Sequence, residues 1–480
     1  MTTQIVDSNT AVADNFVTFK SSQGVELRGT LLKLTRHEAA FEVYAPFAVL
    51  RLSEVLSDFR ISLTDRLLYC GRAVVQNLVG TGVSTVCQTT LDERGWHDLE
   101  FTDGMLHNGK LREQFQGFMQ QWQKLYRVEP EYKVIIADMQ SYLWDLRLWL
   151  DQVELSIRAA PSGDRLEREQ AATAELAVPV IPCIDALFEK FEEVAKKIPN
   201  ELLAAHRSFM RRQLHPLVLC SPFAHRTFEK PLGYAGDYEM VNMIIRNGYE
   251  GGSLFAKVLN TWFLRQPPAV AHRNRIAYLT ESLITETLRA QREGRPALIL
   301  SLACGPAQEV QRFIEESPLA DNVRFTALDF SEEALQNARS NIETLKSRLG
   351  RRTVVEYQRK SAQQILKESG RALEMNGRTQ YDMVYCAGLF DYLSDQLSHR
   401  LMNIMYEWVA PGGLLLATNV EPSNPLRNGM EHLLDWHLIY RTAAQLRSLA
   451  PTRAPADVTR VVSEDSGVNL FLETRKPRHA

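Results

Sequence analysis

Apolar residues follow three successive rhythms along the 480-residue chain. From about Phe16 to Asp98 they alternate with polar residues in short runs. FVTFKSSQGVELRGTLLKL turns at Gln23-Gly24, and AAFEVY, RLLYCGRAVVQNLV and GVSTVCQTTL follow between glycine breaks. Period-two runs at such close spacing predict a small antiparallel β-barrel. From about Leu106 to Ala205 the period lengthens to that of a helix. LREQFQGFMQQWQKLYRV, with Phe115, Phe118, Met119 and Trp122 as one stripe, YKVIIADMQSYLWDLRLWLDQVELSI and IDALFEKFEEVAKKI are amphipathic. Breaks are expected at Pro161-Ser162-Gly163-Asp164 and from Pro179 to Pro182. These helices predict a connector whose apolar faces suit pairing between two chains, a homodimer.

The third rhythm alternates strands with helices. Ala297, Leu298, Ile299, Leu300 and Leu302 read as a strand buried on both faces. Gly305 and Pro306 then make a small-residue turn, and Val310, Phe313 and Ile314 recur at helical spacing. NVRFTALDF is a second strand ending at Asp329. Ser331 follows as an N-cap, with Glu332 and Glu333 in the first turn of a helix whose inner face is Leu335, Ala338, Ile342, Leu345 and Leu349. TVVEYQR, YDMVYC and LLLATNV are further strands, and VTRVVSEDSGVNLFLETRK is a hairpin turning at Asp465-Ser466-Gly467. This alternation predicts an α/β domain with a largely parallel sheet.

A strand, a small-residue turn and a helix N-terminus form a cradle for a nucleotide-like ligand. With one glycine, the turn does not satisfy the G-x-G-x-x-G dinucleotide pattern. Asp329 stands 24 residues beyond Gly305, near the distance at which such folds carry a ribose-binding acid. Alone, it reads equally well as a strand-end loop residue.

Composition narrows the classes. The net charge of −3, from 55 Lys+Arg against 58 Asp+Glu, argues against a generally basic nucleic-acid binder. Six cysteines without a C-x-x-C pair fit neither a zinc site nor a disulfide framework. No metal site is expected, and the thiols suit a reducing cytoplasm, Cys304 and Cys386 packing as small hydrophobes. No apolar run of about 18 residues predicts a membrane span, and MTTQIVDSNTAVADN lacks the pattern of a secretory signal.

Ser221 to Gln266, which opens with SPFAHRTFEKPLGYAGDYEM, is dense in Gly, Pro, aromatic and charged residues without a clean period. It reads as an ordered, ligand-facing segment, with Arg226, Tyr234, Gly236, Asp237 and Tyr238 as contact candidates. The competing reading is that Arg226 and Asp237 form an ion pair holding a loop.

LSLACGPAQEV, ALDFS, YDMVYCAGLFDYL and APGGLLLATNV together resemble the class I S-adenosylmethionine-dependent methyltransferases. The resemblance implies a Rossmann-like seven-stranded domain over 295–480, behind a barrel (1–104), a helical connector (105–220) and a cap with lead-in helix (221–294). It implies S-adenosylmethionine as cofactor. The methionine part would lie at Ala303, Cys304, Gly305 and Pro306, the ribose at Asp329 and Phe330, and the adenine at Ser361 and Ala362. Ala387 and Gly388 would open the fourth-strand loop, with Tyr234 and Asp237 adding contacts from upstream. Asp391 and Tyr392 would face the methyl group, with His225 a further candidate for catalysis. The chain departs from the family pattern at Ser301, where an acid is common, and at Ala303 and Ala307, where glycines are.

KPLGYAGDYEM also resembles a segment of a bacterial methyltransferase subgroup that includes enzymes of 3-hydroxypalmitic acid methyl ester biosynthesis, the ester being a quorum-sensing signal. This implies carboxyl O-methylation of a 3-hydroxy fatty acid, with Arg226, Tyr238, Phe390, Trp436 and Tyr440 on the substrate. An apolar tunnel would run beside Phe390, Tyr392, Trp262 and Trp436. The alternatives are another small-molecule or protein acceptor, or a barrel-regulated sensor that binds cofactor without chemistry. His225, Asp391 and His437 are the candidates for a base, and no spacing singles one out. The barrel resembles the PilZ module in strand pattern. That family's D/N-x-S-x-x-G element is missing near Arg36, where the chain reads RHEAAFEVY, so binding of cyclic di-GMP is not implied.

Overall fold

A computed structural model describes residues 16–43, 50–63, 66–80, 85–96, 112, 116, 128–160, 164–371 and 380–478. The proposed stripe Phe115, Phe118, Met119 and Trp122 lies outside them. Six strands, β1 (Phe16–Lys20), β2 (Glu26–Leu34), β3 (Glu38–Val43), β4 (Val55–Leu63), β5 (Arg66–Gly80) and β6 (Thr85–Leu91), close an antiparallel barrel in the order β1-β2-β3-β6-β5-β4. Alternate residues point inward, so Phe19, Phe41 and Phe59 meet at ring-centroid separations of 5.2–5.8 Å.

Among the described residues seven α-helices follow: α1 (Pro130–Ala159), α2 (Arg165–Ala195), α3 (Leu203–Val218), α4 (Pro222–Glu229), α5 (Tyr238–Arg246), α6 (Leu254–Arg265) and α7 (Pro267–Arg292). The break expected at Pro179–Pro182 does not occur, because both prolines sit inside the continuous α2. Pro179 and Pro182 lie on its exposed face, where the carbonyls deprived of an N–H partner reach water. Ala177, Val180, Ile184, Phe188 and Phe191 meanwhile keep an uninterrupted buried stripe. By length and composition α2 is also apolar enough to cross a membrane. It packs against α1 and α6, and its Glu169 forms a buried ion pair with Lys257 of α6.

The remaining chain builds one seven-stranded sheet, β12-β13-β11-β10-β7-β8-β9. Its strands are β7 (Ala297–Leu302), β8 (Val323–Asp329), β9 (Val354–Arg359), β10 (Tyr381–Cys386), β11 (Val409–Val420), β12 (Thr459–Ser463) and β13 (Asn469–Arg475). Neighbouring pairs from β9 to β11 are parallel, while β13 runs antiparallel to both β11 and β12. The helices threaded between them are α8 (Gln308–Glu316), α9 (Glu332–Leu349), α10 (Ala362–Arg371), α11 (Asp395–Trp408), α12 (Arg427–Leu433) and α13 (Ala443–Arg447).

Register decides where chemistry sits. Leu302 of β7 lies opposite both Leu328 of β8 and Cys386 of β10. Three carboxyl ends are therefore level, and their loops open on one crevice, where open α/β sheets bind ligands.

The barrel packs on this crevice. Val55 N–H donates to Gly233 O at 2.7 Å and Leu52 N–H to Tyr392 O at 3.4 Å. The Ser53 hydroxyl donates to His437 O at 2.9 Å and accepts from His437 N–H.

Candidate active site

The turn after β7 is unusual in its backbone. Ala303, Gly305 and Ala307 take φ of 54°, 52° and 50°. The two alanines therefore hold a left-handed conformation that costs an L-residue roughly 1–2 kcal/mol, at the positions where the resembled family carries glycine. Strain of this kind collects where backbone must approach a ligand. A Cβ at Gly305 would meet nothing within 4 Å, so the turn faces open space.

Asp329 is fixed beneath that turn. Its carboxylate accepts the Gly305 N–H and the Ser331 N–H, each at 2.9 Å. Burial lifts its pKa above the ordinary Asp range, opposed by those backbone donors and by the Arg51 guanidinium. Phe330 follows, its ring 5.3 Å from Tyr234 and 4.8 Å from the guanidinium carbon of Arg51.

At the end of β10 the chain passes Ala387 and Gly388 and winds through a single 3-10 turn, Phe390–Tyr392. Asp391 is buried and accepts Val420 N–H at 2.7 Å. Burial pushes its carboxyl up to about 6, against the pull of that N–H, Arg275 and Arg441. The Tyr392 hydroxyl accepts from the Trp436 indole at 3.0 Å. A Cβ on Gly236 would stand 2.7 Å from the same hydroxyl, so a glycine is required for the upstream segment to close on the loop.

A single cavity joins these parts. Ala303, Cys304, Gly305, Pro306, Asp329 and Phe330 line it, as do Ala362, Ala387, Gly388, Asp391 and Tyr392. From upstream and downstream come Tyr234, Tyr238 and Trp436. Beyond the strand ends its walls are apolar, with Phe223, Val241, Ile244, Phe263, Leu426 and Met430 among them.

The other candidates sit elsewhere. Asp237 caps α5 by accepting Met240 N–H, and it takes two hydrogen bonds from Arg226 at 2.9 and 2.8 Å. This is the ion pair of the competing reading. Ser361 caps α10 through Gln364, and His225 is exposed on α4. Phe390 is buried in the core between sheet and helices. The Trp262 indole donates to Asp185 at 2.7 Å, away from the cavity. Tyr440 lies under the Arg427 guanidinium at 4.4 Å. His437 is held by Asp435 and by the barrel's Ser53.

Among the cavity residues that the sequence did not single out are Arg51 and Leu52 from the barrel, and His272 and Arg275 from α7. Arg275 is 6% exposed, and its guanidinium makes no hydrogen bond or ion pair among the described residues. It lies against the fourth-strand loop, 3.2 Å from where a Gly388 Cβ would be. A signal for it existed. Ala271, Arg275, Leu279 and Leu283 occupy one helical face, and an arginine in an apolar register needs a partner. His272 shares a ring-nitrogen hydrogen bond with Pro268 O at 3.2 Å through Nδ1, and burial holds its pKa well below the ordinary His value, so the ring is neutral.

Residues 300–415 match the family model described as a methyltransferase domain. The chain carries a methyltransferase domain. The residues present fit S-adenosylmethionine, the cofactor that the sequence resemblance implies. The strained turn faces open space, and a preoriented carboxylate stands beside it with an aromatic face next to that. No curated protein sequence matches the chain. Among solved structures it is similar to a Bordetella parapertussis protein described as a possible exported protein, at 15% identity over 73% of this chain and 99% of that one, with a TM-score of 0.38. It is also similar to the magnesium protoporphyrin IX methyltransferase of Synechocystis PCC 6803 with bound SAH, at 12% identity over 49% and 93% of the two chains, TM-score 0.32. A third is the N-methyltransferase NodS of Bradyrhizobium japonicum WM9 in complex with S-adenosyl-L-homocysteine, at 15% identity over 50% and 98%, TM-score 0.30.

Proposed function

We propose that the methyltransferase domain esterifies the carboxylate of an apolar-chain acid, with 3-hydroxy fatty acids as the acceptor class and a fatty acid methyl ester of the quorum-sensing type as product. One observation carries this reading: an apolar cavity beside the cofactor cradle contains a buried, unpaired guanidinium, Arg275. The bound cofactor supplies a methyl group already activated for in-line displacement. The protein's task is then to align the acceptor and exclude water. Arg275 holds the carboxylate by its planar fork, and the walls around Phe223, Phe263 and Met430 take the chain. Tyr392 and Trp436, tied to each other, close the site near the fourth-strand loop. A carboxylate acceptor is ionised at neutral pH and has no proton to lose, so the reaction needs no base.

A hydroxyl or amine acceptor is the second reading. It is favoured by Asp391, whose carboxyl at about 6 is poised for general-base work. The pH profile separates the two. Asp391 is protonated below about 6 and ionised above, so a base role makes the rate climb through that region and level off. With a carboxylate acceptor the rate is expected to stay flat from pH 6 to 8 and to fall only as the acid itself protonates. Asp391→Asn, which keeps an oxygen for Val420 N–H, is expected to retain activity within about threefold. A loss of 10²–10⁴, the usual worth of a general base, together with a vanished rise near pH 6, would sink the carboxylate reading.

A further inference from the structure

We propose that the N-terminal barrel completes the cofactor site, with Arg51 binding the nucleoside end of S-adenosylmethionine beside Phe330 and Tyr234. Arg51 belongs to the segment entering β4, far in sequence from the strands that build the cradle, and still lines the same cavity. It is 6% exposed, and its Nε is buried without a hydrogen-bond partner. Its guanidinium makes no ion pair among the described residues. Glu54 acts on it only through its field and makes no ion pair with it, since its oxygens accept from Ser22 N–H and hydroxyl and from the Arg51 backbone N–H. A buried cation left in that state costs several kcal/mol unless a ligand meets it.

The surroundings say which ligand. The guanidinium carbon stands 4.8 Å from the Phe330 ring centroid, Tyr234 packs on that ring at 5.3 Å, and the Asp329 carboxylate is adjacent in sequence. A planar donor fork, two aromatic rings and a carboxylate suit a purine with its ribose, which offers flat faces, ring nitrogens and hydroxyls. The methionine end is served separately, by the turn at Gly305. The segment is also rigidly placed. Leu52, Ser53 and Val55, just beyond Arg51, bond to Tyr392, His437 and Gly233. The barrel is thus a fixed wall of the site, and its seating on the cap determines whether Arg51 is in position.

Calorimetry on the full chain tests this with two ligands. S-adenosylhomocysteine carries both ends of the cofactor, and 5′-methylthioadenosine carries the nucleoside without the amino acid. Arg51→Ala is expected to weaken both by a similar factor, on the order of tenfold or more, with the unliganded melting temperature unchanged or raised. Arg51→Lys keeps the charge and loses the fork, and is expected to recover only part of the affinity. It also provides the readout if the alanine variant does not fold. Unchanged affinity for both ligands overturns the proposal. A loss confined to S-adenosylhomocysteine also overturns it, by assigning Arg51 to the amino-acid end. A wild-type chain that binds neither ligand overturns the cofactor assignment itself, and the placement of Arg51 with it.

Discussion

Asp329→Ala is expected to abolish measurable cofactor binding. The carboxylate is buried and held by Gly305 and Ser331 N–H donors at 2.9 Å each, so its orientation is set before any ligand arrives. Hydrogen bonds to a charged group contribute about 1.5–3 kcal/mol each, and two ribose hydroxyls can share this one. Their loss amounts to about 3–6 kcal/mol, on the order of 10²–10⁴ in affinity for S-adenosylhomocysteine by calorimetry. The substitution also leaves two buried backbone donors unpaired, so the melting temperature is expected to fall. Asp329→Asn separates the effects. Its remaining oxygen keeps one of those donors, while the charge facing the ribose is gone, so binding is expected to fail with most of the stability restored. Affinity retained within threefold in the alanine variant would mean that Asp329 only ties the turn to β8.

Arg275→Met is expected to have the second largest effect, and to act on the acceptor rather than the cofactor. Methionine fills a similar volume with a flexible apolar chain, so the cavity keeps its walls and loses its only unpaired α7 cation. Truncating one partner of a buried charge pair costs about 3–5 kcal/mol, so kcat/KM for a free fatty acid is expected to drop by about 10²–10³. Calorimetric affinity for S-adenosylhomocysteine should stay within twofold. The unliganded protein should be at least as stable as the wild type, because burial opposes the charge of Arg275 more than the nearby Asp391 and Glu309 carboxylates support it. The reverse split, with cofactor affinity lost and acceptor KM unchanged, would assign the guanidinium to the cofactor's own carboxylate and remove the main support for esterification.

These two residues also mark how far the sequence was readable. Asp329 was visible because local rules govern it: a buried strand, a small-residue turn, a second strand and a capped helix fix its place within about thirty residues. The barrel and the seven strands were visible for the same reason, since period-two runs and continuous apolar runs reflect burial directly. Arg275 lies in a stretch that reads only as a lead-in helix to the first strand, and its place becomes clear when Ala271, Leu279 and Leu283 are seen to share its face. Arg51 carried no local signal. Its place depends on the barrel docking on residues almost four hundred positions away, as in the bond between Ser53 and His437.

The polar residues singled out upstream met a different limit. Asp237 and Ser361 have side chains suited equally to a ligand or to a helix N-terminus, and in the fold both serve helix caps. The prolines of α2 show tertiary packing overriding a local breaker, because one well-buried stripe stabilises the helix that Pro179 and Pro182 weaken on the solvent side. Sequence pattern therefore located the cradle, while the charges that give the cavity its chemistry became visible only in three dimensions.

Carboxyl methylation is tested most directly by methyl transfer from labelled S-adenosylmethionine by the purified full chain, offered 3-hydroxy fatty acids and, in parallel, the same chains as primary amides. Esterification by this domain puts label in the organic phase as a base-hydrolysable ester, formed from the acids and absent with the amides. Label appearing on the amides, on protein, or on a base-stable product would contradict it.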